Sequence, residues 1–140
     1  MYEIIQKAHS GWAYLVLITL LVAFVNSLMK RTSQKEFSPQ DRKIALLALI
    51  ATHLQLVFGL VIYFVSPFGL AAFGQMSDKA LRLTSLEHPL VNIIAIVLIT
   101  IGWSKHKKAA DSQGKFKNIA LFYGLGLLLI LSRIPWSLWF

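Results

Sequence analysis

The sequence predicts an all-α protein: a four-helix transmembrane up-down bundle with both termini outside. Hydrophobic residues make up 56% of the 140 residues and charged residues only 14%, whereas a soluble domain carries about 25% charged residues. The apolar residues fall into four runs without a charged side chain, at 11–29, 44–65, 89–103 and 119–132. A helix needs about 20 such residues to cross a bilayer, and the third run reaches that length if its helix begins at Thr84.

These helices use most of the chain, so we predict one integral membrane domain over residues 1–140. The helices are expected at about 4–29, 39–65, 84–104 and 118–137. The first run is longer than the core of a signal peptide and has no basic region typical of one before it, so we expect it to remain as a mature helix. The chain has no cysteine, which excludes c-type haem attachment, thiolate-ligated iron–sulfur clusters and disulfides.

The net charge of +8 is concentrated in two segments, 30–43 and 105–117, which are rich in lysine and arginine and poor in acidic residues. By the positive-inside rule both segments are cytoplasmic, and both termini and the 66–87 segment lie outside. Anionic lipid headgroups of the bilayer are a sufficient partner for this charge. No nucleic-acid partner is expected.

Two local patterns predict helix starts. Ser38 followed by Pro39 is typical of an N-cap and a first helical residue. Thr84 and Glu87 have the spacing of a capping box. If the third helix begins at Thr84, His88 lies in its first full turn, near the outer end of the span.

His9 and His88 are the candidate site. At 1.5 Å per residue, His9 lies about 31 Å above Lys30 and His88 about 26 Å above Lys105, so both are at the outer level. Helices one and three enter from the same side, and in an up-down bundle they face each other diagonally. Small or apolar residues follow each histidine on its helix face. This arrangement suits two axial imidazoles on one haem iron.

The other histidines allow several interpretations. His53 lies only about 15 Å above Lys43 and off the polar face of its helix. Its alternatives are an interhelical hydrogen bond, a proton relay, a quinone contact or a ligand to a second group. His106, among lysines in a predicted cytoplasmic loop, is expected to be solvated. Zinc is disfavoured, because a structural site needs four ligands and the outer level offers only the two histidines and Glu87.

Five short stretches point to known families: His9-Ser10-Gly11-Trp12, 52–59, 63–67, Glu87-His88-Pro89-Leu90 and Ile134-Pro135-Trp136. With them the chain resembles a family of small bacterial membrane proteins described as cytochrome b-like. It also resembles one four-helix half of haem A synthase, whose first and third helices each open with a haem-ligating histidine. His9, Gln55 with Gly59, and His88 match the order of that half. Ser10 stands where that family usually has arginine, and the 140 residues correspond to one half only.

The resemblance implies a multi-pass protein of the bacterial inner membrane that binds haem b through His9 and His88. Gln55 and Asn92 are candidate hydrogen-bond partners of the ligands, and Asn92 lies one turn below His88. The predicted role is electron transfer, with quinol or as a subunit of a larger redox complex, and a homo-oligomer is compatible with it. No catalytic constellation is visible, so the chain is at most an oxidoreductase subunit.

Two alternatives of other classes stay open at this point. One is a haem-free structural or assembly subunit whose polar helix faces pack on partner helices. The other is a proton-conducting or quinone-linked protein that uses His53. A visible absorption spectrum separates the haem protein from both.

Overall fold

The computed structural model describes residues 2–136. It contains four helices that are each long and apolar enough to cross a membrane, and no strand occurs within the described range. The predicted all-α class and the four candidate membrane helices are therefore confirmed. A short 3₁₀ turn, Leu70–Ala72, lies between the second and third helices. The helices are α1 (Tyr2–Thr32), α2 (Pro39–Val65), α3 (Lys79–Lys108) and α4 (Ser112–Ser132).

The order of packing around the bundle is α2, α1, α4 and α3, with a looser contact that closes the ring between α2 and α3. Helices α1 and α3 are thus the diagonal pair that the sequence predicts. Two long-range hydrogen bonds hold α1 and α4 against α2. Trp12 on α1 donates its indole N–H to the Ala51 carbonyl at 2.8 Å, and Tyr123 on α4 donates to the Ala45 carbonyl at 2.8 Å.

Small residues occupy many of the positions where the helices touch, and large apolar residues cover the outside. Where α4 meets α3, a Cβ added to Gly126 would lie 2.6 Å from the Ile99 side chain, so only glycine allows this approach. Leucine, isoleucine and valine project outward from all four helices. Small residues at helix interfaces are typical of helices that associate in a bilayer. The buried alanines include Ala23, Ala45, Ala48, Ala51 and Ala95.

The start of α2 follows the prediction. Ser38 is the N-cap and Pro39 is in the first turn, and Asp41 completes a capping box with Ser38. The Asp41 carboxylate also accepts from Asn26 at 3.0 Å and from Lys30 at 2.6 Å. Because Asn26 and Lys30 lie on α1, this buried carboxylate ties the end of α1 to the start of α2.

The predicted start of the third helix at Thr84 is wrong. Helix α3 begins at Lys79, where the Asp78 side chain accepts from two backbone N–H groups of the first turn. The Thr84 hydroxyl instead donates back to carbonyls one turn earlier, as threonine does inside a helix. Glu87 is an ion-pair partner of Arg82 at 3.2 Å rather than a cap, because the earlier aspartate satisfies the free N–H groups.

The connection between α3 and α4 is much shorter than the predicted loop of residues 105–117. Helix α3 continues to Lys108, and α4 begins at Ser112 with Asp111 as its N-cap, so only residues 109–111 connect them. His106 therefore lies in the last turn of α3, where it is buried, and the expectation that it is solvated is wrong. The predicted fourth helix begins six residues too late and ends too late as well, because α4 stops at Ser132 with Arg133 as its C-cap.

Candidate functional site: a pair of histidines between α1 and α3

An irregular turn in α3 leads directly into His88. Residues Leu83–Glu87 form a π-helical turn, and the His88 N–H bonds to the Leu83 carbonyl. Pro89 has no N–H for the Ser85 carbonyl, which is its normal helical partner. The Tyr63 hydroxyl on α2 donates to that carbonyl at 2.7 Å. The backbone before His88 is thus held by a side chain of another helix, and π turns of this kind occur often at functional sites.

The His88 imidazole is oriented by the end of α4. Its Nδ1 lies 2.9 Å from the Arg133 carbonyl oxygen and 3.1 Å from the Asn92 amide nitrogen. The carbonyl is the closer group and can only accept, and Asn92 has the shorter contact with the His88 carbonyl, so we assign the proton to Nδ1 and the free lone pair to Nε2. Asn92, one turn further along α3, donates its amide to the His88 carbonyl at 2.6 Å. The structure therefore places Asn92 beside His88, as predicted, but gives the orienting contact to a backbone carbonyl of α4.

His9 lies opposite His88 across the bundle. The centroids of the two imidazole rings are 6.2 Å apart, and the ring planes are inclined by 82°. The His9 ring rests against Gly59 on α2, where an added Cβ would lie 3.4 Å from His9 Cε1. The two histidines that the sequence selects from separate helices are therefore brought together, while their role as ligands stays a prediction.

Gln55 is the second contact of His9 on α2. Its amide nitrogen donates to the His9 carbonyl at 2.7 Å. Its Oε1 and the His9 Nδ1 are both buried without a hydrogen-bond partner, the only such side-chain atoms within residues 2–136. Buried polar atoms in proteins are normally satisfied. One atom can accept and the other can donate, so the site contains a complementary pair of unused groups.

The spacing of the two rings is compatible with a shared metal ion. An ion bound through one nitrogen of each ring would lie about 3 Å from each centroid, given metal–nitrogen bonds of about 2 Å. The observed separation of 6.2 Å is close to twice that distance. No group of three or more His, Cys, Asp or Glu side chains within the described range could hold a metal ion. The distance between the two rings therefore agrees with the prediction that both bind one iron.

A charged cluster lies next to the pair at the same end of the bundle. Glu87 precedes His88 and contacts Arg82 at 3.2 Å and Arg133 at 3.8 Å. All three side chains are partly exposed, so the ion pairs contribute little to stability. Arg133 has two roles here, since its carbonyl orients His88 and its guanidinium approaches Glu87. No sequence pattern signals the carbonyl contact, because any residue type could supply it.

His53 is not part of the pair. It is exposed on α2, its Nδ1 bonds to the Leu49 carbonyl at 2.8 Å, and its Nε2 lies 3.3 Å from the Thr100 hydroxyl on α3. An interhelical contact was one of its predicted alternatives, and this geometry agrees with that alternative.

The Tyr63 contact with Ser85 was missed, although Pro89 in the sequence signals an unpaired carbonyl four residues earlier.

Comparison of the chain with protein-family models, with characterised proteins and with solved structures found no match.

Proposed function

We propose that the protein is a multi-pass membrane protein of the bacterial inner membrane that binds haem b between His9 and His88 and transfers electrons. The observation that carries the proposal is the orientation of His88. Its Nδ1 donates to the Arg133 carbonyl, which leaves Nε2 as a metal ligand, and metal-binding histidines usually have this second contact. The opposed His9 ring and the resemblance to cytochrome b-like proteins support the same conclusion.

Haem suits a site with two ligands better than a bare metal ion does. The macrocycle supplies its own nitrogen ligands, so the protein needs to supply only axial ones. Zinc in a structural site requires four ligands from the protein, and the described residues provide no such group. Bound haem would supply reversible one-electron transfer at its iron.

The surrounding residues have definable tasks in this proposal. The Arg133 carbonyl holds the His88 ring in place and raises the basicity of its free nitrogen. Gln55 holds the backbone of His9, because its amide nitrogen donates to the His9 carbonyl. Gly59 lies directly against the His9 ring, since a Cβ there would be in van der Waals contact with it. Asn92 fixes the backbone of His88.

The orientation in the membrane is part of the proposal. The basic segments 30–43 and 105–117 lie in the cytoplasm and both termini lie outside, so the histidine pair is near the outer face. A reporter fused after Phe140 should therefore behave as external. Cytoplasmic behaviour of that fusion would contradict the orientation but would leave haem binding untouched.

The central experiment is a reduced-minus-oxidised absorption spectrum of the protein purified from cells with abundant haem. We expect a six-coordinate, low-spin haem spectrum, because His9 and His88 would both hold the iron. His9→Ala and His88→Ala should each abolish it while the protein still inserts, and His53→Gln is the matched control that should retain it. A wild-type protein without haem, or a wild-type spectrum in both alanine variants, would favour the structural or assembly subunit instead.

A further inference from the structure

Two cations from different helices share one aromatic ring at the end of the bundle where α2 begins and α3 ends. The guanidinium carbon of Arg42 on α2 lies 5.3 Å from the centroid of the Trp103 ring, and the ammonium nitrogen of Lys107 on α3 lies 5.9 Å from it. Cations are attracted to a tryptophan ring at such distances. Trp103 is buried, whereas both cations are exposed, so the ring holds two charges at one place on the surface.

These two cations have no acidic partner. None of the ion pairs among residues 2–136 involves Arg42 or Lys107. The carboxylate next to Arg42 in the chain, that of Asp41, is buried and paired with Lys30. Two like charges held near one ring repel each other unless an opposite charge lies between them. The pair is therefore suited to bind an anion.

A third cation, on α4, adds to the positive field of this region. Lys115 Nζ lies 5.9 Å from the centroid of the Phe37 ring and donates to the His106 carbonyl at 3.0 Å. His106 packs between Phe37 and Trp103, so three helices place a positive charge around one aromatic cluster. Tryptophan is enriched where the headgroups of a bilayer meet its hydrocarbon, and this is the level at which lipid phosphates lie.

The border between α2 and α3, where Arg42 meets Trp103, is also the loosest contact between neighbouring helices. Both helices expose aliphatic side chains that a hydrocarbon chain can contact. A ligand with a phosphate at the cations and acyl chains along the bundle therefore meets a matching group with each part, whereas a soluble anion uses the cations only. The exposed aliphatic residues of these helices include Leu47, Ile50, Val97 and Ile101.

We propose that Arg42 and Lys107 bind the phosphate of one anionic phospholipid at a discrete site beside Trp103. Arg42 can donate two N–H groups to phosphate oxygens, and Lys107 supplies a second positive charge. The site rests on the membrane location proposed above but not on haem. It differs from general attraction between basic segments and anionic lipids, because two positions determine it rather than the total charge.

The test is native mass spectrometry of the full-length protein in detergent micelles that contain phosphatidylglycerol. One bound phosphatidylglycerol is expected at concentrations at which phosphatidylcholine, which has no net charge, does not bind. Arg42→Gln combined with Lys107→Gln should weaken this binding about tenfold, the effect of lost hydrogen bonds between charged groups. The matched control combines Lys43→Gln with Lys108→Gln, which removes the same charge from the adjacent exposed positions. It should leave the affinity nearly unchanged.

Three results would overturn the proposal. Equal losses in the two double variants would mean that only the total charge attracts the lipid, and equal binding of phosphatidylcholine would mean that the headgroup charge is not recognised. Glycerol phosphate, which carries the phosphate without acyl chains, should not displace the lipid; displacement would indicate a site for a soluble anion. The four substituted residues are exposed, so the variants should fold and keep the wild-type haem spectrum. Failure of the lipid site is thus distinguishable from failure of the histidine pair.

Discussion

The two ends of the bundle both contain buried polar groups, but they use them differently. At the end formed by Asp41 and His106, which we call the Asp41 end, the carboxylate accepts from Asn26, Lys30 and the Ser38 backbone. His106 bonds to the Trp103 carbonyl of its own helix at 2.5 Å.

The opposite end, formed by His9 and His88, is the paired-histidine end. Here two buried polar atoms, His9 Nδ1 and Gln55 Oε1, have no partner among the described residues. His106, by contrast, packs between the rings of Trp103 and Phe37. A satisfied polar cluster stabilises a fold, whereas unsatisfied buried groups require another explanation. The comparison therefore favours a stabilising role for the Asp41 end and agrees with the function proposed for the paired-histidine end.

The largest expected effect tests the Asp41 end. Asp41→Ala removes a buried carboxylate and leaves its donors on α1 and in the capping box unpaired, so the free energy of unfolding should fall by about 3 kcal/mol. Asp78→Ala, which removes an exposed cap, is the control and should cost about 1 kcal/mol. Unfolding by SDS titration in mixed micelles measures both. Equal and small losses would mean that the Asp41 end is not a stabilising cluster.

The second prediction concerns the paired-histidine end. Gln55→Met keeps the size of the side chain but removes the amide that donates to the His9 carbonyl, so His9 is held less firmly and haem affinity should fall about tenfold. The unfolding free energy should change much less than in Asp41→Ala. Haem titration followed by absorbance gives the affinity, with Leu54→Met as the neighbouring exposed control. Unchanged affinity would show that the glutamine only packs against α1.

A smaller effect is expected at the π turn. Tyr63→Phe leaves the Ser85 carbonyl without its donor, at a cost of about 1 kcal/mol in stability. The change also loosens the backbone in front of His88, so the low-spin band should broaden or shift. Phe64→Leu, at an exposed neighbour, is the control for a general loss of packing. A loss of stability without any spectral change would show that the π turn stabilises the fold but does not affect the histidine pair.

The smallest effect on haem is expected from His106. His106→Leu removes the bond to Trp103 but touches neither His9 nor His88, so the absorption spectrum should stay as in the wild type. Haem content per folded protein, measured after purification, checks this. Loss of haem in this variant would contradict the division of the molecule into a stabilising end and a functional end.

The sequence alone determined the number and class of the helices and the selection of His9 and His88. Uncharged runs of bilayer length leave little choice of structure, and the Ser38–Pro39 start is encoded within a few residues. The diagonal arrangement of α1 and α3 also followed from topology. These features depend on neighbouring residues or on the length of an apolar run. They can therefore be recognised without knowing which distant segments contact each other.

Only the tertiary structure decided the features that depend on contacts between distant segments. The burial of His106 depends on its packing against Phe37, far away in the chain. The start of α3 is instead a local competition, in which Asp78 rather than Thr84 caps the first turn. The Arg133 carbonyl that orients His88 has no signature at all, since every residue carries one. Backbone groups and packing partners are specified by three-dimensional proximity, and a pattern of residue types does not encode them.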